Sequence, residues 1–85
     1  IVPFGNLELS PASSMMHYGQ AIFEGMKAYR SDNGDVLLFR PLENQKRLNR
    51  SALRMAMPEV PEEVFMEGLV ELLKLDQNWV PAGDG

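Results

Sequence analysis

"SDNGDVLLFRPLENQKRL", residues 31–48, carries a turn, an apolar run and a helix start in eighteen residues. Asn33-Gly34 is a strong hairpin signal, because both residue types tolerate positive φ. The run Val36-Leu37-Leu38-Phe39 is continuously apolar, which predicts a strand buried on both faces. Pro41 then suits the first position of a helix, and Glu43 complements the positive end of that helix. A strand that feeds directly into a helix sets the architecture. Its partner arm precedes the turn, so the hairpin is expected over residues 23–30 and 35–40. A lone hairpin is barely stable in water, so other elements must cover it.

Working outward, Leu48, Ala52 and Met55 recur at helical spacing and are expected to face the sheet. A second helix starts at Pro61-Glu62-Glu63 and ends near Leu75. Phe65, Leu69, Leu72 and Leu73 form its apolar stripe, and Trp79 is expected to pack against it. Toward the N-terminus, Ser13 or Ser14 can cap a short helical turn through Tyr18, with Gly19 as its stop. Residues 4–9 alternate weakly and read as a short strand or an extended lead-in. The sum is an α+β class: a small antiparallel sheet with a hairpin, covered by two helices, in one domain over residues 1–85.

Composition narrows the function. An apolar share of 45% with 24% charged residues is globular rather than disordered. The net charge of −4 gives no general attraction to nucleic acid or an anionic membrane. No apolar run approaches the ~20 residues of a membrane span. Without cysteine there is no disulfide and no thiolate metal site, which is compatible with a cytoplasmic or mitochondrial setting. The chain starts at Ile1 and ends in "PAGDG", so it is expected to be part of a longer polypeptide.

Arg47, Arg50 and Arg54 share one helix face. Arginine offers a planar fork of donors for phosphate or carboxylate, so the face can be an anion site. Such a stripe is more often a solvated face, here with Glu43 pairing to Arg47 at i+4. His17 beside Tyr18 can be an acid–base pair, although a single histidine more often has a structural hydrogen bond. Glu24 is open in the same way. The glycines form no phosphate loop, since neither G-x-G-x-x-G nor Walker spacing occurs.

Three stretches go further. "SPASSMMHYGQAIFEGMKAYR" (10–30) holds an H-Y-G-x-x-x-F-E-G pattern. "LFRPLENQKRLNRSALRMAMP" (38–58) holds E-N-x-x-R-x-x-x-S-A-x-R, and "LVELLKLDQNWVP" (69–81) completes the set. Together they resemble the N-terminal small domain of branched-chain amino-acid aminotransferases, fold-type IV enzymes that use pyridoxal 5′-phosphate. The resemblance implies that the parent moves the amino group of leucine, isoleucine or valine to 2-oxoglutarate. It implies a homodimer whose larger domain, absent here, holds the Schiff-base lysine; none of Lys27, Lys46 and Lys74 matches that position. The isolated chain is therefore expected to be inactive.

By the same resemblance, Arg47 holds the cofactor phosphate, Phe23 lines an apolar substrate pocket, and Tyr18 reaches toward the other subunit's site. Lys27 lies near the pocket mouth in the mammalian-like branch. Gly19 and Gly25 would bend the stretch so that Tyr18 and Phe23 point inward. The rivals are a D-amino-acid aminotransferase, an aminodeoxychorismate-lyase relative, or a non-catalytic binding domain that reuses the fold.

Overall fold

The computed structural model describes residues 1–82. Along these residues lie helix α1 (Ser14–Tyr18), strand β1 (Ala28–Arg30), strand β2 (Val36–Leu38), helix α2 (Pro41–Arg54), helix α3 (Glu62–Asp76) and a 3₁₀ turn (Gln77–Trp79). The class is α+β, as expected from the sequence. β1 and β2 pair antiparallel with Ala28 opposite Leu38, Tyr29 opposite Leu37 and Arg30 opposite Val36.

The hairpin expected at Asn33-Gly34 is present, and only its glycine takes a positive φ. Gly34 has φ 92°, and Asn33 is not among the residues with positive φ. The Gly34 N–H donates to the Ser31 carbonyl at 3.0 Å, and the Ser31 N–H to the Asp35 carbonyl at 2.8 Å. The loop is therefore three residues long, with the left-handed glycine in its last position. The Asp35 N–H also donates to the Ser31 hydroxyl at 3.1 Å. That local bond favours the longer loop.

The strands are also shorter than their expected arms. β2 ends because Arg40 turns into the left-handed region, at φ 49°, immediately before Pro41 opens α2. Upstream of β1 the chain is drawn away from the sheet by two side chains of α2, described below. β2 is not buried on both faces: Val36 and Leu38 are half-buried, while Leu37 is exposed, as is Phe39 beyond the strand. The half-buried face looks toward α3, across a cleft lined by Val36, Leu38, Val70 and Leu73. Residues 4–9 form no strand, and Phe4 and Leu7 are exposed.

Among the described residues the only buried apolar side chain is Ala52. The other buried residues are Asn44 and Gln45, both on α2. Each amide reaches loop backbone. Asn44 Nδ2 donates to the Gly25 carbonyl at 2.9 Å, and Gln45 Nε2 to the Val60 carbonyl at 3.1 Å. Asn49 grips the same loop twice, accepting from the Val60 N–H and donating to its carbonyl, both at 2.8 Å. Polar pairing thus does what a larger apolar core does elsewhere, and it leaves no buried side-chain polar atom unsatisfied among the described residues. The radius of gyration, 15.4 Å, exceeds the ~12 Å of a compact domain of this length.

α3 begins after Pro61 as its signals indicate and ends one residue past Leu75. Its inner stripe is Phe65, Met66, Leu69 and Leu73, whereas Leu72 is exposed. Trp79 does not pack on α3: the 3₁₀ turn carries it outward, and it is 83% exposed. Arg30 secures this end instead. It donates from Nε to the Val80 carbonyl at 3.1 Å, from Nη1 to the Gly34 carbonyl at 3.0 Å, and from Nη2 to the Gln77 carbonyl. Carbonyls left open at the end of a helix are suited to a cation.

The end of α2 carries a specific strain. Met57 N–H returns to the Ala52 carbonyl at 2.8 Å and Ala56 N–H to the Leu53 carbonyl at 3.2 Å. These are the two bonds of a Schellman closure, which places Ala56 at the position usually taken by glycine. Its φ is 55°. A side chain there costs about 1–2 kcal/mol. Ala56→Gly is therefore expected to raise the unfolding free energy of the chain by about 1 kcal/mol, measured by urea denaturation. A loss of stability would show that the positive φ is not strained.

Candidate anion site

The local sequence first places a cation on a helix face. Arg47 lies on the second turn of α2, three residues after the buried Asn44. It does not pair with Glu43, whose carboxylate instead meets Lys46 Nζ at 3.6 Å. Its partner is Glu24, 23 positions earlier. Arg47 donates from Nε to Glu24 Oε2 at 2.7 Å and from Nη2 to Glu24 Oε1 at 2.9 Å. This is the two-bond fork geometry available to arginine and not to lysine. The Glu24 carboxylate also accepts the Gly25 N–H at 2.9 Å.

Beside this pair lies an open cleft of about 390 Å³. Its walls include Lys27, Arg40, Arg47 and Arg50, with Glu43 as the single acidic group, and Tyr29 and Phe39 as aromatic surface. Lys27 Nζ sits 5.1 Å from the Tyr29 ring centre. In a chain of net charge −4, the cleft walls hold four cations and one carboxylate, with the Glu24 carboxylate beside them against Arg47. The side chains of Arg50 and Arg54 make no hydrogen bond or ion pair among the described residues, and they share a second opening with Arg47 and Ser51. The stripe read from the sequence is real, and within it Arg47 alone is fixed by a carboxylate.

The other expected site residues lie apart from this cleft. Tyr18 and Phe23 are 88% and 92% exposed and do not line it. Gly19 and Gly25, expected to bend this stretch, differ in backbone conformation. Gly19 does take the left-handed conformation that stops α1, at φ 63°, but Gly25 does not have a positive φ. Gly25 is instead held through its backbone, by Asn44 on one side and by Glu24 on the other. His17 has the structural hydrogen bond, from Nε2 to the Pro11 carbonyl. Ser13 is the N-cap of α1 but makes no side-chain cap, and Ser14 is the first helical residue.

Glu24, Asn44 and Arg40 are neighbours of Arg47, in or beside the cleft, that sequence spacing does not reveal. The Glu24–Arg47 pair joins a loop to a helix, so no helical or strand period connects its members. The only local signal is an acid between an aromatic residue, Phe23, and Gly25, which fits many roles.

No family model matches the chain. Comparison with individual proteins is more informative. The chain is 56% identical over all 85 residues to branched-chain-amino-acid transaminase 1 of Bacillus subtilis (strain 168). It is 54% identical to a probable branched-chain-amino-acid aminotransferase of Staphylococcus epidermidis and 49% identical to the branched-chain-amino-acid aminotransferase of Mycolicibacterium smegmatis, again over its whole length. It spans 23–24% of the length of these relatives. The chain belongs to the branched-chain aminotransferases, and the resemblance drawn from its three motif stretches is borne out. The rival families and the non-catalytic binding domain are not favoured.

The geometry separates two kinds of residue in the 85-residue chain. Phe23 and Tyr18 contribute little to its packing, so Phe23→Ala and Tyr18→Ala are each expected to change its unfolding free energy by less than about 0.5 kcal/mol. Asn44→Ala leaves a carbonyl without its partner and is expected to cost about 1–3 kcal/mol. Chemical denaturation of the three variants checks this. A loss of ~3–5 kcal/mol for Phe23→Ala would restore it to a core role.

Proposed function

We propose that this chain is the small-domain part of a pyridoxal-phosphate-dependent aminotransferase that moves the amino group of leucine, isoleucine or valine to 2-oxoglutarate, as a homodimer. The observation that carries the reading is the cationic cleft beside Arg47, found in a chain whose relatives are named branched-chain aminotransferases. Its donor set suits the phosphate end of the cofactor. Two of Arg47's five N–H donors are taken by Glu24, which leaves three for phosphate oxygens. Arg40 and Arg50 add charge on the same walls.

Pyridoxal phosphate, when bound, supplies the electron sink for amino transfer. Everything this chain adds is grip and shape. Arg47 fixes the phosphate and with it the position of the ring. Lys46 and Lys74 are exposed helix residues paired with Glu43 and Glu71 at 3.6 and 3.7 Å, which suits surface roles. The lysine that carries the cofactor is assigned to another part of the full-length protein, together with the partner of the ring nitrogen.

Tyr18 and Phe23 form the proposed wall of the substrate pocket. Their exposure supports this, because side chains that pack against nothing in their own chain are available to enclose a ligand or meet a second subunit. Such a wall senses apolar volume, and one methylene changes binding by about 1–3 kcal/mol. Selectivity among leucine, isoleucine and valine is expected to be soft.

Two measurements on the full-length protein test the reading. Arg47→Ala should weaken cofactor binding about ten- to a hundredfold, because a charge-assisted contact is worth roughly 1.5–3 kcal/mol. Arg50→Ala, which removes charge but no fixed fork, should do much less; equal losses would count against Arg47. For Tyr18, a Tyr18→Ala protein is mixed with one lacking the catalytic lysine. If Tyr18 serves the neighbouring subunit, the mixed dimer holds one intact site and activity returns. Subunit exchange without recovery would place Tyr18 in its own subunit's site.

A further inference from the structure

Glu24 occupies an unusual place for a counter-ion. Its side chain is 16% exposed, whereas that of Arg47 is 55% exposed. The carboxylate is the anchored member of the pair, and the guanidinium is the member presented to solvent. The anchoring is visible in the backbone. Gly25 donates its N–H to the Glu24 carboxylate at 2.9 Å, and its carbonyl accepts from Asn44 Nδ2 at 2.9 Å. Asn44 and Arg47 lie three residues apart on α2, on adjacent turns of one face. The Glu24-Gly25 segment is thereby tied to α2 at two points, and Glu24 stands at a fixed place relative to the arginine stem.

The two bonds from Arg47 use one edge of the guanidinium, Nε and Nη2. The plane of the group is then set, and the Nη1 end is left open. We propose that Glu24 is a positioning residue for Arg47: it holds one edge of the fork so that the other edge is presented to a phosphate monoester. This inference rests on the reading of Arg47 as the phosphate-binding arginine. It goes beyond it by dividing the guanidinium into a structural edge and a ligand edge.

A simple counter-ion would act in the opposite sense. A carboxylate near a phosphate repels it, so removing the carboxylate would strengthen binding. A carboxylate that orients the arginine supplies order that the exposed side chain otherwise lacks, and its removal weakens binding. Lys27, Arg40 and Arg50 on the same walls offset the charge of Glu24, which favours the second outcome.

The test uses the full-length apoprotein titrated with pyridoxal 5′-phosphate and, separately, with pyridoxal, which lacks the phosphate. Glu24→Ala is expected to lower affinity for the phosphorylated cofactor about tenfold and to leave affinity for pyridoxal unchanged. Glu24→Gln keeps one acceptor oxygen and should recover part of the loss. In the Glu24→Ala/Arg47→Ala double variant the loss should not exceed that of Arg47→Ala alone, since Glu24 acts only through Arg47. Unchanged or tighter binding of pyridoxal phosphate by both Glu24 variants would overturn the proposal, as would an equal loss for both ligands, which marks a general structural defect. If Arg47→Ala itself leaves cofactor affinity intact, the phosphate assignment fails and this inference with it. If Arg47→Ala weakens binding while Glu24→Ala does not, the positioning role alone fails.

Discussion

Three amide side chains on one helix hold this structure together. Asn44, Gln45 and Asn49 of α2 reach the backbone at Gly25 and at Val60, and among the described residues Ala52 is the one buried apolar side chain. A hydrogen bond of this kind is worth about 0.5–1.5 kcal/mol net, less than a buried leucine contributes. Its value lies in direction. An apolar contact can slide, whereas an amide that must meet both the N–H and the carbonyl of Val60 admits one placement of the loop. Leaving those groups unpaired costs about 1–3 kcal/mol each, so alternatives are penalised more than the native arrangement is rewarded.

The position of everything else follows from that helix. The Val60 contacts bring the start of α3 alongside α2. The Gly25 contact ties the segment before β1 to α2, and Arg40 turns the chain into α2 after β2, so the hairpin pairs over three residues per strand. The Gly25 tie also places Glu24 against Arg47. One row of polar side chains therefore shortens the sheet and builds the site in a single arrangement.

Local signals explain what could be read before any coordinates. Pro41 and the pair Glu62-Glu63 act on the first turns of their own helices, so both helices begin where the sequence indicates. Gly19 likewise stops α1 by its own left-handed backbone. The arginine stripe follows from helical spacing alone. Readings that required a partner fared differently. The run from Val36 to Phe39 is apolar enough to be buried, and Trp79 is large enough to fill a core, but burial depends on what lies opposite. Here Leu37, Phe39 and Trp79 face outward. The turn at Asn33-Gly34 was visible as a turn, while its length was decided by Ser31, whose hydroxyl bonds beyond it. The Glu24–Arg47 pair crosses from loop to helix and leaves no periodic trace. The family motifs identified the chain because they record such non-local pairings without explaining them.

The exposed aromatics acquire a meaning from the same comparison. A chain that covers about a quarter of its relatives' length, and that exposes Phe4, Phe23, Phe39 and Trp79, is not deficient as a design. In the proposed enzyme those surfaces meet the substrate, the larger domain or the second subunit, and their stabilisation appears only there. The division of labour within the chain is then physically sensible. Apolar side chains, whose attraction is strong but undirected, are left for surfaces that must join and enclose. Directed hydrogen bonds run from α2 to the loops beside it, where they set the angle of one guanidinium. The helix spacing carries this through. Asn44 fixes the backbone beside Glu24, Glu24 fixes one edge of Arg47, and Arg47 returns to the same helix one turn after Asn44. A lysine in place of Arg47 could supply the charge but not the two edges, so the loop of contacts would open at the residue proposed to face the phosphate.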